Sequence, residues 1–129
     1  MAIKSSQSLV SEALEQIKTI STDEAYRMQR DNKCNLIDIR DIRELQKEGQ
    51  VEGANHIPRG MLEFWLDPES PYHRTFFKLN VFFIFYCASG WRSALSTLTA
   101  QEMGLKNVLN LDGGYTKWLE CNGPFEKLI

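Results

Sequence analysis

The sequence has few cysteines, and none of them forms a recognisable pair. Cys34, Cys87 and Cys121 are an odd number with no CxxC spacing, which excludes a disulfide framework and a cysteine-based zinc site. The two histidines, His56 and His73, also lack the spacing of metal ligands. We therefore expect a protein of a reducing compartment that folds without disulfides or metal.

Long apolar runs and an excess of one charge are missing as well. No stretch approaches the roughly 18 apolar residues of a membrane-spanning helix, and the start MAIKSSQSLV lacks the apolar core of a secretory signal. Fifteen Lys and Arg against 17 Asp and Glu give a net charge of −2, which is not the electrostatic footprint of a nucleic-acid binder. We expect a cytoplasmic protein that binds neither membranes nor nucleic acids.

What the sequence does contain is an alternation of helical and strand-like patterns. Leu9, Val10, Ala13, Leu14 and Ile17 recur on one helical face, so residues 1–17 are predicted to be an N-terminal extension with an amphipathic helix over about residues 6–16. Residues 18–129 follow as the main domain. Strands are predicted at 17–21, 35–40, 81–86 and 108–111, with a brief one before Pro58, and helices lie between them. This order is typical of a mostly parallel sheet covered on both faces.

One cysteine stands where an apolar run stops. The run VFFIFY, residues 81–86, has the composition and length of a strand, and Cys87 follows it directly. A tight loop and a helix come next, with Leu95, Leu98 and Met103 at helical spacing. Ligands sit outside the carboxyl ends of parallel strands, and the N–H groups of a helix start favour an anion, so a thiol here is acidified. Cys87 is therefore predicted to be a nucleophile.

Five segments in order resemble the single-domain rhodaneses, a family of sulfurtransferases. The resemblance covers about residues 18–125 and implies an α/β domain with five mostly parallel strands and helices on both faces. One departure is Gln50, where the family often has His at a position that is usually structural. The segments are Asp38-Ile39-Arg40, GQVEGANHIP at 49–58, RGMLEF at 59–64, CASGWRS at 87–93, and LDGG at 111–114 followed by Trp118.

The resemblance implies a ping-pong transfer of sulfur that needs no metal or organic cofactor. Cys87 would take the sulfane sulfur of a small donor such as thiosulfate, carry it as a persulfide, and pass it to cyanide or a thiol. The loop sequence CASGWR favours thiosulfate or a persulfide over 3-mercaptopyruvate as donor. Backbone N–H groups of the loop would stabilise the persulfide. The loop residues are Ala88, Ser89, Gly90, Trp91, Arg92 and Ser93.

Other residues are predicted to surround or support the loop. Arg59 follows a strand end and, with Glu63, is a candidate for the rim of the pocket, where it would bind an anionic donor. Asp38 and Arg40 are predicted to be structural, Asp38 by positioning loops through hydrogen bonds and Arg40 by pairing with an acid such as Glu44.

The turn after the last strand of the sheet is also predicted to be structural. Asp112 would accept hydrogen bonds from loop amides, and Gly113 and Gly114 would adopt positive φ.

Two residues of the Cys87 loop keep alternative roles. Arg92 forms either an ion pair with an acidic side chain or a contact with the donor, and Trp91 is either a wall of the pocket or a packing residue.

Three other functions stay open at this point. The chain could relay sulfur to a partner protein, or it could be a binding module without chemistry, although an intact Cys87 loop argues against the latter. The related phosphatases of the cell-cycle dual-specificity type and the arsenate reductases of this fold use five residues between cysteine and arginine. Here four separate Cys87 from Arg92, and the smaller loop fits a sulfur atom better than a phosphate. We expect a monomer.

Overall fold

The fold is built around a five-stranded sheet whose middle strand ends next to Cys87. The computed structural model describes residues 2–128. Met1, the first residue of the predicted extension 1–17, and Ile129, the last residue of the predicted domain 18–129, lie outside the described residues. The elements in chain order are α1 (Ser6–Gln16), β1 (Thr19–Ile20), α2 (Thr22–Arg30), β2 (Cys34–Asp38), α3 (Ile42–Glu48), β3 (Gln50–Val51), β4 (Asn55–His56), a 3-10 turn (Arg59–Met61), α4 (Leu62–Leu66), a second 3-10 turn (Thr75–Lys78), β5 (Phe82–Tyr86), α5 (Trp91–Glu102), β6 (Val108–Leu111), α6 (Gly114–Glu120) and β7 (Phe125–Glu126).

All pairings in the main sheet are parallel. The strand order is β1-β6-β5-β2-β4, and in the middle of the sheet Asp38 at the end of β2 lies opposite Tyr86 at the end of β5. Parallel strands direct their carboxyl ends to one edge, so the residues that follow β2 and β5 meet there. The predicted fold class, an α/β domain with a parallel five-stranded sheet, is confirmed.

Alternate residues of the strands build one core on each face of the sheet. On one face, Ile37, Phe83 and Phe85 pack with side chains of α4 and α5. On the other, Ile84 and Tyr86 pack with side chains of α2 and α6. The alternation follows from the two-residue period of a strand, and it makes both faces of the middle strands apolar, as burial under two helical layers requires.

The N-terminal helix has the predicted bounds and packs on α5. The Ser5 side chain accepts a hydrogen bond from the Ser8 N–H and caps α1, and Ala13 is fully buried. Leu9 and Leu14, on the predicted apolar face, keep 43% and 44% of their surface exposed. The helix therefore covers its neighbour only in part. Among residues 2–128, no helix has the length and apolarity to cross a membrane.

Two features of the fold were not predicted from the sequence. Leu95, Leu98 and Met103 do not form the core-facing side of α5; its buried residues are small and mostly hydroxylated, namely Ser93, Ala94, Ser96, Thr97 and Ala100. Small side chains let the helix axis approach the sheet closely. The antiparallel pair β3–β7 was not predicted, because two-residue strands carry no periodic signal and are set by tertiary contacts.

Candidate functional site

The site is built around the sulfur of Cys87, which lies between β5 and α5. The residue is only 1% exposed. The Gly90 N–H donates a 3.1 Å hydrogen bond to Sγ, and the Ser93 N–H donates one of 3.4 Å. The Ser93 Oγ lies 3.5 Å from the same sulfur. The sulfur thus faces three polar groups from the loop and from the first turn of a 12-residue helix.

This environment makes the thiol more acidic. Burial raises the pKa of the Cys87 thiol, whereas hydrogen bonds from the Ser93 hydroxyl and from the N–H groups of Ser93, Gly90 and Ser89 lower it, and the net pKa lies below its ordinary value. The hydrogen bonds prevail because each donor favours the thiolate over the thiol, as does the positive end of the helix. A thiolate is the nucleophilic form of cysteine.

Two glycines give the loop its shape. Gly90 has φ 111°, a conformation in which an L-side chain is strained, and it precedes the first turn of α5. Gly114, at the start of α6, has φ 58°, and a Cβ there would come within 2.5 Å of the Cys87 carbonyl oxygen. The backbone of α6 can therefore approach the loop. The Tyr115 N–H donates to the Cys87 carbonyl at 2.8 Å, and the Thr116 N–H to the Ala88 carbonyl at 3.1 Å.

The arginine at the end of the loop forms an ion pair. Nη1 of Arg92 donates to Oε1 of Glu44 at 2.7 Å, and Nη2 donates to Oε2 at 3.1 Å. The Asp41 N–H also donates to Oε1 of Glu44, in a capping box that begins α3. The hydrogen bond to Glu44 is the largest cause of a raised Arg92 pKa, and the charge of Cys87 adds to it. Of the two roles left open for Arg92, the structure shows the ion pair.

A buried ion pair lies under the site. Asp38 and Arg40 are 0% and 1% exposed, and the guanidinium contacts both carboxylate oxygens, with Nη2 to Oδ2 at 2.7 Å. Arg40 also donates to the Gly49 carbonyl at 2.8 Å and lies 4.4 Å from the centre of the Tyr115 ring. Arg40 pairs with an acid, as predicted, but the named partner Glu44 is wrong. Asp38, two residues away at the same strand end, holds the guanidinium inside the core, and Oε1 of Glu48 lies 3.7 Å from Nη1.

One protein family matches most of the chain. The rhodanese-like domain family matches residues 21–121, which is most of the chain. The chain belongs to this family. The match begins at the cap of α2 and ends after α6, so the matched residues contain four of the five strands of the main sheet, the Cys87 loop and the buried ion pair, while the edge strand β1 precedes them.

Two solved structures resemble this rhodanese-like domain over nearly its full length. A protein of unknown function from Rhodopseudomonas palustris, described as a possible tyrosine phosphatase, is 40% identical, with a TM-score of 0.93 over 98% of this chain and 97% of its own. The polysulfide-sulfur transferase homodimer of Wolinella succinogenes is 31% identical, with a TM-score of 0.71 over 95% of this chain and 87% of its own.

A curated relative matches a shorter segment. The thiosulfate sulfurtransferase YnjE of Escherichia coli is 47% identical over 34 residues, which are 26% of this chain and 8% of YnjE. The matched segment therefore represents a small part of that protein.

The predicted rim residues Arg59 and Glu63 pair with each other and not with the loop of this rhodanese-like domain. Arg59 donates to Oε1 of Glu63 at 3.0 Å and to Oγ1 of Thr99 at 3.4 Å. Thr99 is six residues beyond Ser93, or about 9 Å along the helix axis. Between residues 2 and 128, neither Arg59 nor Glu63 has a hydrogen bond or ion pair with residues 87–93. Their assignment to the rim of the pocket stays a prediction.

The role predicted for Asp112 also changes. Its carboxylate is exposed and accepts a 3.1 Å hydrogen bond from Nζ of Lys117, one turn into α6, instead of binding loop amides. The amides that contact the loop backbone are those of α6 itself. The positive φ angles predicted for Gly113 and Gly114 are confirmed at 73° and 58°.

Two contributors were not predicted. The Ser93 hydroxyl contacts the sulfur directly, although only its N–H was expected to do so. Glu44 neutralises Arg92, and its only signal in the sequence is the capping-box spacing Asp41-x-x-Glu44.

Trp91 is 66% exposed at the first position of α5, so it does not pack in a core. Within residues 2–128, no cluster of His, Cys, Asp and Glu could hold a metal ion.

Proposed function

We propose that this chain is a rhodanese-type sulfurtransferase that moves sulfane sulfur from thiosulfate or a similar donor to a thiol or cyanide through a Cys87 persulfide. The observation that carries the proposal is the sulfur of Cys87, which receives hydrogen bonds from the Gly90 and Ser93 amides and has a lowered pKa. Membership of the rhodanese-like family and the sulfurtransferase relatives support the reaction class.

In the first step, the Cys87 thiolate attacks the outer sulfur of thiosulfate. A bond forms between Sγ and that sulfur, the S–S bond of thiosulfate breaks, and sulfite leaves with the electron pair. The product is a persulfide on Cys87, and total charge is conserved. The loop N–H groups of Gly90 and Ser93 stabilise the negative charge on sulfur before and after the transfer.

In the second step, an acceptor attacks the outer sulfur of the persulfide. With cyanide the product is thiocyanate, and with a thiolate it is a new persulfide. In both cases the bond between the two sulfurs breaks, and Cys87 leaves as the thiolate that its surroundings favour. The acidity of the thiol therefore serves both steps, because it makes Cys87 an available nucleophile and a good leaving group.

A phosphatase is the second candidate, since the Rhodopseudomonas palustris protein is described as a possible tyrosine phosphatase. Two observations disfavour it here. The loop has four residues between Cys87 and Arg92, and both Arg92 terminal nitrogens are already bonded to Glu44. A phosphate dianion needs a larger cradle of donors and a free cationic side chain.

Parallel assays separate the two candidates. We expect thiocyanate formation from thiosulfate and cyanide, with no hydrolysis of p-nitrophenyl phosphate above background. Cys87→Ser should abolish the transfer, and Cys121→Ser, which changes an exposed cysteine, should keep it. Phosphate hydrolysis that depends on Cys87, without thiocyanate formation, would instead show a phosphatase.

A protein acceptor is part of the same proposal. If the chain relays sulfur to a partner, Cys87 takes up sulfur in one turnover but returns it slowly to small acceptors. Comparison of the single-turnover rate of sulfur uptake with the steady-state rate of thiocyanate formation measures this difference directly.

A further inference from the structure

A groove of about 540 Å³ lies between α1 and the first turn of α5, beside the Cys87 loop. Val10 and Leu14 line it from α1, and Trp91 and Leu95 line it from α5. Leu14 is 44% exposed and Trp91 is 66% exposed, so two large apolar side chains of the groove remain in contact with solvent. The volume is within the range of pockets that bind small organic molecules.

The groove carries no net charge. Its other lining residues are uncharged and polar, except for Arg92. The Arg92 guanidinium is neutralised by the two hydrogen bonds to Glu44, which α3 holds in place through its capping box. An anionic molecule would therefore lose hydration in the groove without gaining a free cation, whereas an uncharged apolar molecule would gain from burial.

The groove also adjoins the reacting sulfur. Trp91 and Arg92 follow directly after Gly90, whose N–H contacts Sγ of Cys87. Arg92 lines the groove, and the next residue, Ser93, donates its N–H to Sγ at 3.4 Å. A molecule with an apolar body in the groove can thus direct its other end toward the persulfide.

We propose that this groove binds the uncharged, apolar body of a low-molecular-weight thiol, which is the acceptor of the sulfur on Cys87. The proposal rests on the proposed function and specifies its acceptor. The acceptor thiolate attacks the outer sulfur of the persulfide, the bond between that sulfur and Sγ breaks, and Sγ keeps the electron pair. The acceptor leaves as a persulfide, and the exchange needs no further oxidant or reductant.

The test follows sulfur discharge in a single turnover. Cys87 is first loaded with thiosulfate, the excess is removed, and loss of the persulfide is then timed with benzyl mercaptan, 2-mercaptoethanol or 2-mercaptoethanesulfonate. All three are alkyl thiols, and they differ in having an aromatic, a small polar or an anionic body. We expect benzyl mercaptan to discharge the wild-type persulfide roughly tenfold faster than the other two, because only its body is buried in the groove.

Three variants of α1 locate the effect. Leu14→Gln should slow discharge by benzyl mercaptan by roughly fivefold, and Ser11→Trp, which fills the groove, should slow it at least as much. Leu9→Gln should change nothing, since Leu9 is 43% exposed on the same helix but does not line the groove. Loading by thiosulfate and discharge by cyanide should be unchanged in all three variants.

A binding measurement keeps the groove testable even if no sulfur is loaded. Benzyl methyl sulfide, which cannot react, should change the fluorescence of wild-type protein and of Leu9→Gln, but not of Trp91→Phe or Leu14→Gln. Equal discharge rates and equal binding in Leu14→Gln and Leu9→Gln would overturn the proposal. A wild-type dimer in sedimentation that Leu14→Gln converts to a monomer would also overturn it, because the groove would then be a subunit interface.

Discussion

The acidity of Cys87 is decided by a balance between burial and hydrogen bonding. Burial alone would keep the thiol protonated and inert, as it does for Cys34, whose pKa is raised to about 11 by burial. At Cys87 the loop adds donors from Gly90 and Ser93, and they reverse the direction of the shift. Of these two thiols, the one with donors around its sulfur is the more acidic, and the thiolate is the reactive form of cysteine.

Removal of the Ser93 hydroxyl should therefore make Cys87 less acidic. In Ser93→Ala the N–H still donates to Sγ, but the hydroxyl that favours the thiolate is lost. The rate of alkylation by iodoacetamide rises with pH through the Cys87 pKa, and in the variant this rise should move to higher pH. Ser89→Ala is the matched control, because Ser89 acts only through its N–H and its side chain is exposed. Superimposable pH profiles for wild type and Ser93→Ala would contradict the role of the hydroxyl.

Glu44 should control how strongly the site attracts anions. In Glu44→Gln the capping interaction with the Asp41 N–H can persist, while the charge that neutralises Arg92 disappears. The free cation beside the loop should lower the KM for thiosulfate by about threefold. Glu63→Gln is the control, since Glu63 pairs with Arg59 away from the loop. A higher KM in Glu44→Gln would show instead that the ion pair is needed to shape the loop.

At the scale of elements, the strand, loop and helix around Cys87 could be predicted from sequence because they are local. The run VFFIFY indicates β5, and the glycine in the loop indicates the turn. The approach of α6 could not be predicted, since it depends on how two distant segments pack. The Gly113-Gly114 pair only indicated positive φ, while the structure shows that Gly114 lets the Tyr115 and Thr116 amides reach the loop carbonyls.

Gly114→Ala tests that approach. A Cβ would lie 2.5 Å from the Cys87 oxygen and 2.8 Å from the carbonyl of Ala88, so α6 must move away from the loop. We expect a loss of about 2 kcal/mol or more in the free energy of unfolding, measured by urea denaturation, together with a large loss of sulfur transfer. Gly53→Ala is the control: it has φ 78° with no atom within 4 Å of the added carbon, and it should cost about 1 kcal/mol. Equal effects of the two substitutions on transfer would refute the contact.

The orientation of α5 could not be predicted from its apolar residues. The apolar residues of α5 have helical spacing, but two of them, Trp91 and Leu95, line the groove toward α1. Ser93 and Thr97 are buried in the interior instead. Hydroxyl groups can be buried there because the helix backbone satisfies them, as in the 2.7 Å bond from Oγ1 of Thr97 to the Ser93 carbonyl. Periodicity of apolar residues alone could not show this.

At the scale of the whole molecule, one buried charge links distant parts of the chain. Arg40 contacts Asp38 and the Gly49 carbonyl, and its guanidinium lies over the Tyr115 ring. Tyr115 in turn donates its N–H to the Cys87 carbonyl and its hydroxyl to the Glu48 carbonyl. The network joins the ends of β2, α3 and α6 under the loop. From the sequence, Asp38 and Arg40 could be assigned to structure but not to each other.

Asp38→Asn should destabilise the protein strongly. The substitution keeps the shape of the side chain but leaves Arg40, which is 1% exposed, with only the half-exposed Glu48 carboxylate, 3.7 Å away, as a counter-charge. Removal of one partner of a buried ion pair costs roughly 3 kcal/mol or more, and urea denaturation measures the loss. Asp41→Asn is the control, because its pair with Arg43 is exposed and Asn also caps helices well. A stability of Asp38→Asn close to that of Asp41→Asn would contradict the account of the core.

The most direct test of the central claim is the intact mass of the protein before thiosulfate, after thiosulfate, and after subsequent cyanide. The account predicts that the wild type gains one sulfur atom from thiosulfate and loses it to cyanide, while Cys87→Ser gains none. A wild-type mass that thiosulfate leaves unchanged, or an equal gain in Cys87→Ser, would contradict the assignment of Cys87 as the sulfur carrier.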